Sequence, residues 1–75
     1  MNKHSNYKEL LDSILNQVDN DMAEEIMELN HNLDYPSFED TTEDEAKGII
    51  ETLRQYQEEG LDIQGESIQG LDLTL

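Results

Sequence analysis

A long acidic stretch without any positive charge constrains this chain more than any other feature. Positions 9 to 46 hold 13 Asp and Glu residues and no Lys or Arg, and residues 37–46 read SFEDTTEDEA. Charges of one sign repel each other when folding brings them together. The whole chain has 19 acidic and 4 basic residues, a formal net charge of −15, whereas about 2–8 charges keep a small domain soluble. The excess therefore calls for an explanation beyond solubility.

The length and composition indicate one small domain. The chain has 75 residues, of which 35% are hydrophobic, and no cysteine, so it can bury a modest core without disulfides or thiolate metal sites. The start, MNKHSNYKEL, has no apolar signal-peptide core, and no apolar run approaches the roughly 20 residues that cross a bilayer. We therefore expect a cytoplasmic protein.

Apolar residues at helical spacing predict a first helix over about 6–18. Asn6 is the expected N-cap, and Glu9, three residues later, is the expected returning partner. The apolar stripe consists of Tyr7, Leu10, Leu11, Ile14, Leu15 and Val18. Such a stripe is typical of a helix face that packs into a core.

A second stripe predicts a helix over about 21–34. Asp21 is the expected cap, because the preceding Asp-Asn-Asp interrupts the first pattern and favours a turn. The residue before Pro36 is pushed into extended geometry, so this helix should end by about Asp34. Tyr35 and Phe38 are expected to fold back onto the core. The stripe consists of Met22, Ile26, Leu29 and Leu33.

The third helix, over about 42–59, has the clearest boundaries. Thr42 and Glu45 form a capping-box pattern, and Gly60 is a typical stop. Carboxylates in the first turn interact favourably with the helix dipole, by roughly 0.3–1 kcal/mol each. Glu39 and Asp40 precede the cap and gain little from that dipole. The apolar stripe consists of Ala46, Ile49, Ile50, Leu53 and Tyr56.

The last segment, 61–75, changes to the strand period of two. GLDIQ and GLDLT recur ten residues apart, with apolar and polar residues alternating. This pattern predicts a short hairpin with a loop around Gly65 to Gly70, or an extended tail that pairs only on binding. The predicted fold is thus mainly α: a compact three-helix domain, residues 1–75, with a short C-terminal β-hairpin or extended tail.

Nothing in the sequence favours catalysis or a metal site. No nucleophile–base pair stands out, and a general acid needs a pocket that a small helical domain hardly provides. We interpret His4 and His31 as surface residues. Residues 40–51 have acids at three positions of a calcium loop, but Glu45 replaces the glycine at loop position 6. We therefore expect no enzyme activity, no cofactor and no metal.

The end of the chain, GLDLTL, resembles the peptide by which bacterial replication proteins dock on the sliding clamp. Leu71, Asp72, Leu73 and Leu75 match that pattern, but Gly70 stands where glutamine is expected. Strand alternation alone produces the same spacing. Clamp binding is accordingly kept as part of an alternative function, a small helical interaction or regulatory module such as an antitoxin-like inhibitor.

The crowded acids suggest a surface that replaces DNA phosphates. One helical turn rises about 5.4 Å, and duplex DNA carries a charge per about 1.7 Å of axis, so rows of carboxylates approach the density of a DNA backbone. Direct binding to nucleic acid or anionic membranes is effectively excluded by the charge. The candidate partner-binding residues are Asp21, Glu24, Glu25, Glu28, Glu39, Asp40, Glu43 and Asp44.

In size and charge the chain resembles small, acidic, phage-encoded DNA-mimic inhibitors, and it is most similar to the inhibitors of the nucleoid protein HU from Bacillus phages. The resemblance implies a protein of the host bacterial cytoplasm that occupies the DNA site of a basic protein such as HU. That class shares no motif, so no residue role is carried over. The host, the acidic face that binds and the oligomeric state, including a homodimer, are left open.

Overall fold

The computed structural model describes residues 4–29 and 38–75. Within these ranges the chain forms α1 (Tyr7–Gln17), α2 (Asn20–Met27), a 3₁₀ helix (Phe38–Asp40), α3 (Glu43–Glu59), β1 (Asp62–Ile63) and β2 (Glu66–Ser67). The two strands pair in antiparallel fashion. The predicted fold class, mainly helical with three helices and a short C-terminal hairpin, is confirmed.

Helix α1 begins as the sequence predicts, with one local difference. The Asn6 side chain accepts a hydrogen bond from the Glu9 amide at 2.9 Å. The Glu9 carboxylate, however, accepts from the amide of Ser5 at 2.6 Å, one residue before the position a capping box uses. The Glu9 carboxylate still accepts a backbone amide just before α1, so the Asn6 and Glu9 side chains each satisfy one backbone donor at the start of the helix.

Helix α2 differs from the prediction at both ends. Asp19, not Asp21, is its N-cap, and its carboxylate accepts from the Met22 amide at 2.9 Å. Asp21 therefore lies in the first turn of the helix, where its negative charge is favoured by the helix dipole. The helix ends at Met27, not near Asp34, since the Leu29 amide donates to Ile26 and tightens the last turn. The predictions for Leu33, Asp34 and Tyr35 lie outside the described residues.

The boundaries of α3 are confirmed. The Thr42 hydroxyl accepts from the Glu45 amide at 3.1 Å, and the Glu45 carboxylate accepts from the Thr42 amide at 2.9 Å, which completes the capping box. Gly60 adopts a left-handed conformation with φ of 72°. Only glycine enters that region without steric cost, so it ends the helix after Glu59.

The hairpin is tighter than the sequence predicts. Its turn is Gln64-Gly65, with φ values of 56° and 74°, which is the type I′ geometry that suits a two-residue hairpin loop. The predicted loop around Gly65 to Gly70 is therefore wrong: β2 already occupies Glu66–Ser67. Residues 71–75 form no strand.

One core joins all of these elements. Its buried side chains come from the three helices, from the hairpin region through Ile63 and Ile68, and from the tail through Leu73. Phe38 is half-buried and packs against this core, as the sequence predicts. No helix among the described residues is long and apolar enough to cross a membrane.

Candidate acidic surface

Four of the eight predicted site residues lie on the outer side of α2. Asp21, Glu24, Glu25 and Glu28 follow the i, i+3, i+4, i+7 spacing that places side chains on one helix face. Met22, Ile26 and Met27 are buried on the other side, whereas the acids are exposed except for the half-buried Glu25. The first and last of these four Cα atoms are separated by about 10 Å along the helix. The short helix therefore displays four carboxylates within two turns.

Glu39 and Asp40 lie in the 3₁₀ helix that precedes α3, and both are exposed. The fold brings a positive charge to this segment from α1. The Lys8 ammonium donates to the Glu39 carbonyl at 3.2 Å and lies 5.0 Å from the centroid of the Phe38 ring. The segment is free of Lys and Arg in sequence, but in the fold Lys8 lies beside it.

Glu43 has a structural task that sequence reasoning missed. Its carboxylate accepts hydrogen bonds from the backbone amides of Tyr7 at 2.7 Å and Lys8 at 3.0 Å. A carboxylate from the first turn of α3 thus satisfies two amides at the beginning of α1, where the dipole of α1 also favours negative charge. Both oxygens already accept hydrogen bonds from α1 at the protein surface, so Glu43 is the least suitable of the eight residues to replace a free phosphate.

Asp44 is exposed in the first turn of α3 and begins a row that was not predicted. Glu51 and Glu58 follow at intervals of seven residues, on the helix side away from the buried Ile49 and Leu53. Seven residues make nearly two turns, so such side chains lie on one face about 10 Å apart. The seven-residue spacing was the signal that could have found this row.

Several carboxylates lie where a helix disfavours them. Glu28 is the C-cap of α2, and Glu58 and Glu59 end α3. None of the three described helices has a basic residue in its last turn. The C-terminal end of a helix carries partial negative charge, so a carboxylate there is repelled. The helix dipole therefore opposes these acids, although Arg54 lines the same cleft as Glu58 and Glu59.

Several open clefts lie on the described part of the chain, and one of about 480 Å³ lies beside Glu51, Arg54 and Glu58. One cleft of about 290 Å³ lies beside Lys8 and Phe38, and another of about 310 Å³ lies between Leu15 and Met27. No group of three or more His, Asp or Glu side chains in the described ranges could hold a metal ion. The candidate site is therefore an outer surface.

The clamp-like end of the chain is packed against the protein itself. Leu73 is 4% exposed, and Leu71 and Leu75 are partly buried against the core. The three leucines that such a peptide would present are used inside the fold.

Comparison with known proteins gives no match: no family model fits the chain, and no curated protein or solved structure matches it significantly.

Proposed function

We propose that this chain is an acidic DNA mimic that binds and blocks the DNA-binding surface of a basic host protein. The first candidate partner is a nucleoid-associated protein such as HU, in the cytoplasm of a host bacterium. The carboxylates take the place of phosphates, and the partner supplies Lys and Arg residues, of which this chain has only 4 against 19 acidic residues. The activity is binding without catalysis.

The single observation that carries this proposal is the position of the exposed acids. Glu28, Glu58 and Glu59 lie at helix C-termini that contain no basic residue. Carboxylates at such ends oppose folding, and natural sequences keep unfavourable local choices chiefly where function needs them. A cationic partner would relieve the repulsion and give these positions a purpose.

The surfaces that support the proposal are the outer sides of α2 and α3. On α2, Asp21, Glu24 and Glu28 are exposed, and on α3 the row through Glu51 and Glu58 is exposed. Glu39 and Asp40 form a third, shorter acidic segment. Glu43 is removed from the proposed binding set, because its carboxylate already holds the start of α1.

The alternative, an apolar interaction module, receives less support. A sliding-clamp binder needs an accessible C-terminal peptide, but Leu73 is buried and Arg54 donates two hydrogen bonds to its carbonyl. That peptide would first have to leave the fold. The two proposals also differ in salt dependence, since an apolar grip is far less sensitive to ionic screening.

The decisive experiment measures displacement of labelled duplex DNA from purified HU over a range of salt. Under the proposal, the protein displaces DNA at low salt, and its affinity for HU falls steeply between 50 and 200 mM salt. A pull-down from bacterial lysate with mass spectrometry tests other basic DNA-binding proteins in parallel. Binding to HU that does not change with salt would contradict mimicry, and so would failure to bind any basic DNA-binding protein.

Matched charge reversals identify the face. Glu24→Lys with Glu28→Lys alters α2, Glu58→Lys with Glu59→Lys alters α3, and Glu39→Lys with Asp40→Lys alters the 3₁₀ segment. Each pair changes the net charge by the same amount, so a loss of displacement confined to one pair assigns the face. An equal loss for all three would mean that total charge, and not a defined surface, drives binding.

A further inference from the structure

Lys8 connects the beginning of α1 to the 3₁₀ helix that carries Glu39 and Asp40. Its ammonium donates to the backbone carbonyl of Glu39 at 3.2 Å and lies 5.0 Å from the centroid of the Phe38 ring. One side chain of α1 thus contacts two neighbouring residues of a three-residue helix. The Phe38 ring also packs against the core, so both α1 and the core hold this acidic segment.

The hydrogen bond from the Lys8 ammonium goes to a backbone atom, although carboxylates are close. Glu9 and Asp12 line the same open cleft as Lys8, and Asp12 follows Lys8 at the i+4 spacing of a helix ion pair. The accepting carbonyl lies at the end of the 3₁₀ helix, where backbone carbonyls need partners from outside the helix and a cation is favourable. The contact therefore fixes the position of the backbone.

A second attachment runs in the opposite direction a few residues later. The Glu43 carboxylate accepts from the amides of Tyr7 and Lys8. Lys8 thus bonds to the acidic segment through its side chain and to α3 through its backbone amide. The residues between the two attachments cannot shift far without breaking one of them. The side chains of Glu39 and Asp40 are nevertheless exposed, so a fixed backbone carries carboxylates that a partner can reach.

We propose that Lys8 is a positioning residue for partner binding: it holds the 3₁₀ helix so that the carboxylates of Glu39 and Asp40 meet a cationic DNA-binding surface in a fixed arrangement. This inference rests on the proposed function and gives one of the four basic residues of the chain a task within it. Preorganised groups bind more tightly, because less conformational freedom is lost on association. Charge alone gives the opposite expectation, since a cation beside an acidic surface weakens its attraction for a basic partner.

The variant Lys8→Met separates position from charge, because it keeps an unbranched side chain near Phe38 and removes the ammonium. Positioning predicts that displacement of labelled DNA from HU weakens by about 3- to 10-fold, the effect of one lost hydrogen bond. Lys47→Met removes the same charge from an exposed position on α3 and should leave displacement unchanged or strengthen it. Lys8→Arg should displace DNA like the wild type, since a guanidinium can donate to the same carbonyl and contact the same ring. Stronger displacement by Lys8→Met would overturn the proposal.

A double-mutant cycle tests whether Lys8 acts through the two carboxylates. In a background of Glu39→Gln with Asp40→Asn, Lys8→Met should change displacement by about twofold or less, because no carboxylate is left to position. Effects at independent sites would instead add. An undiminished effect in that background would mean that Lys8 supports only the general fold, and the proposal would be wrong.

Amide exchange in the free protein distinguishes failure of this inference from failure of the proposed function. The Thr41 amide donates to the Phe38 carbonyl at 3.0 Å and closes the 3₁₀ turn. Lys8→Met should speed exchange of this amide by about 3- to 10-fold and leave exchange in the middle of α3 unchanged. Unchanged Thr41 exchange would contradict positioning even if the wild type binds HU. If Thr41 exchange responds but the wild type displaces DNA from no basic protein, the proposed function fails, and the role of Lys8 in binding fails with it.

Discussion

The two ends of α3 place the same residue type in opposite physical settings. At the beginning, Glu45 closes the capping box with Thr42, and Glu43 holds two amides of α1. At the other end, Glu58 and Glu59 lie against the negative pole of the helix. Folding thus accounts for the acids at the first end and is opposed by those at the second.

Helix α2 repeats the contrast on a smaller scale. Asp21 lies in the first turn, next to the Asp19 cap, whereas Glu28 is the C-cap. Negative charge stabilises the first position and destabilises the second. The acidic residues therefore fall into two groups: those at helix N-termini, which stabilise the fold, and those at helix C-termini, which oppose it. The second group is the better guide to a binding surface.

The largest expected effect on stability comes from removing Glu43 at the beginning of α3. Glu43→Ala should lower the free energy of unfolding by about 1–3 kcal/mol, because two amides of α1 lose a charged acceptor. Asp44→Ala, in the same helical turn and equally exposed but without the hydrogen bonds to α1, should cost only about 0.3–1 kcal/mol. Urea unfolding monitored by circular dichroism measures both. Equal costs would mean that the contact between α3 and α1 does not contribute to stability.

The Glu43 contact also shows where sequence reasoning ends. Stripes, caps and the stop at Gly60 follow from residues at most four positions apart, and these local features predicted the three helices and the exact ends of α3. The bond from Glu43 to Tyr7 spans 36 positions. No local pattern encodes it, because it depends on how α1 and α3 pack.

Two other differences between the prediction and the structure, at the cap of α2 and in the hairpin turn, have local causes. Asp19 and Asp21 both stand three residues before an amide that a cap could accept from, so spacing alone could not choose between them, and the structure has Asp19 as the cap. In the hairpin, Gln64 takes a positive φ before Gly65, although residues other than Gly, Asn and Asp are uncommon there. Of the candidate site, the α2 face was predictable from spacing, whereas the removal of Glu43 from that site required the tertiary structure.

Removal of the capping box at the beginning of α3 should have the next largest effect on stability. Glu45→Ala should cost about 1 kcal/mol, since the Thr42 amide loses its acceptor. Such a loss lowers the melting temperature of a domain of this size by about 4–8 °C. Glu45→Gln is the control, because a glutamine oxygen can accept the same bond. If the melting temperatures of both variants fall equally below that of the wild type, the charge of Glu45 matters and its hydrogen bond does not.

A matched pair of reversals at the two ends of α3 tests the comparison directly. Asp44→Lys should destabilise the fold and Glu59→Lys should stabilise it, each by about 0.3–1 kcal/mol through the helix dipole. Both variants change the net charge equally, so relief of general repulsion cancels in the difference between them. Urea unfolding at low salt gives that difference. Stabilisation by both variants would show that total charge outweighs position.

The smallest expected effect is the salt dependence of the free protein. Self-repulsion at a net charge of −15 should make the wild type less stable at low salt than at 0.15 M, where the screening length is about 8 Å. Salt also weakens the favourable dipole interactions of Asp21 and Asp44, so the net gain should be about 1 kcal/mol or less.

The variant Glu58→Lys with Glu59→Lys sharpens this test. It removes unfavourable charges at one helix end and leaves the favourable ones at the other, so salt should stabilise it less than the wild type, or even destabilise it. Thermal melts of both proteins at four or five salt concentrations supply the comparison. If salt raises the melting temperatures of the two proteins in parallel, Glu58 and Glu59 contribute no repulsion of their own. The claim that folding disfavours them would then fall, and with it the main support for a phosphate-like surface on α3.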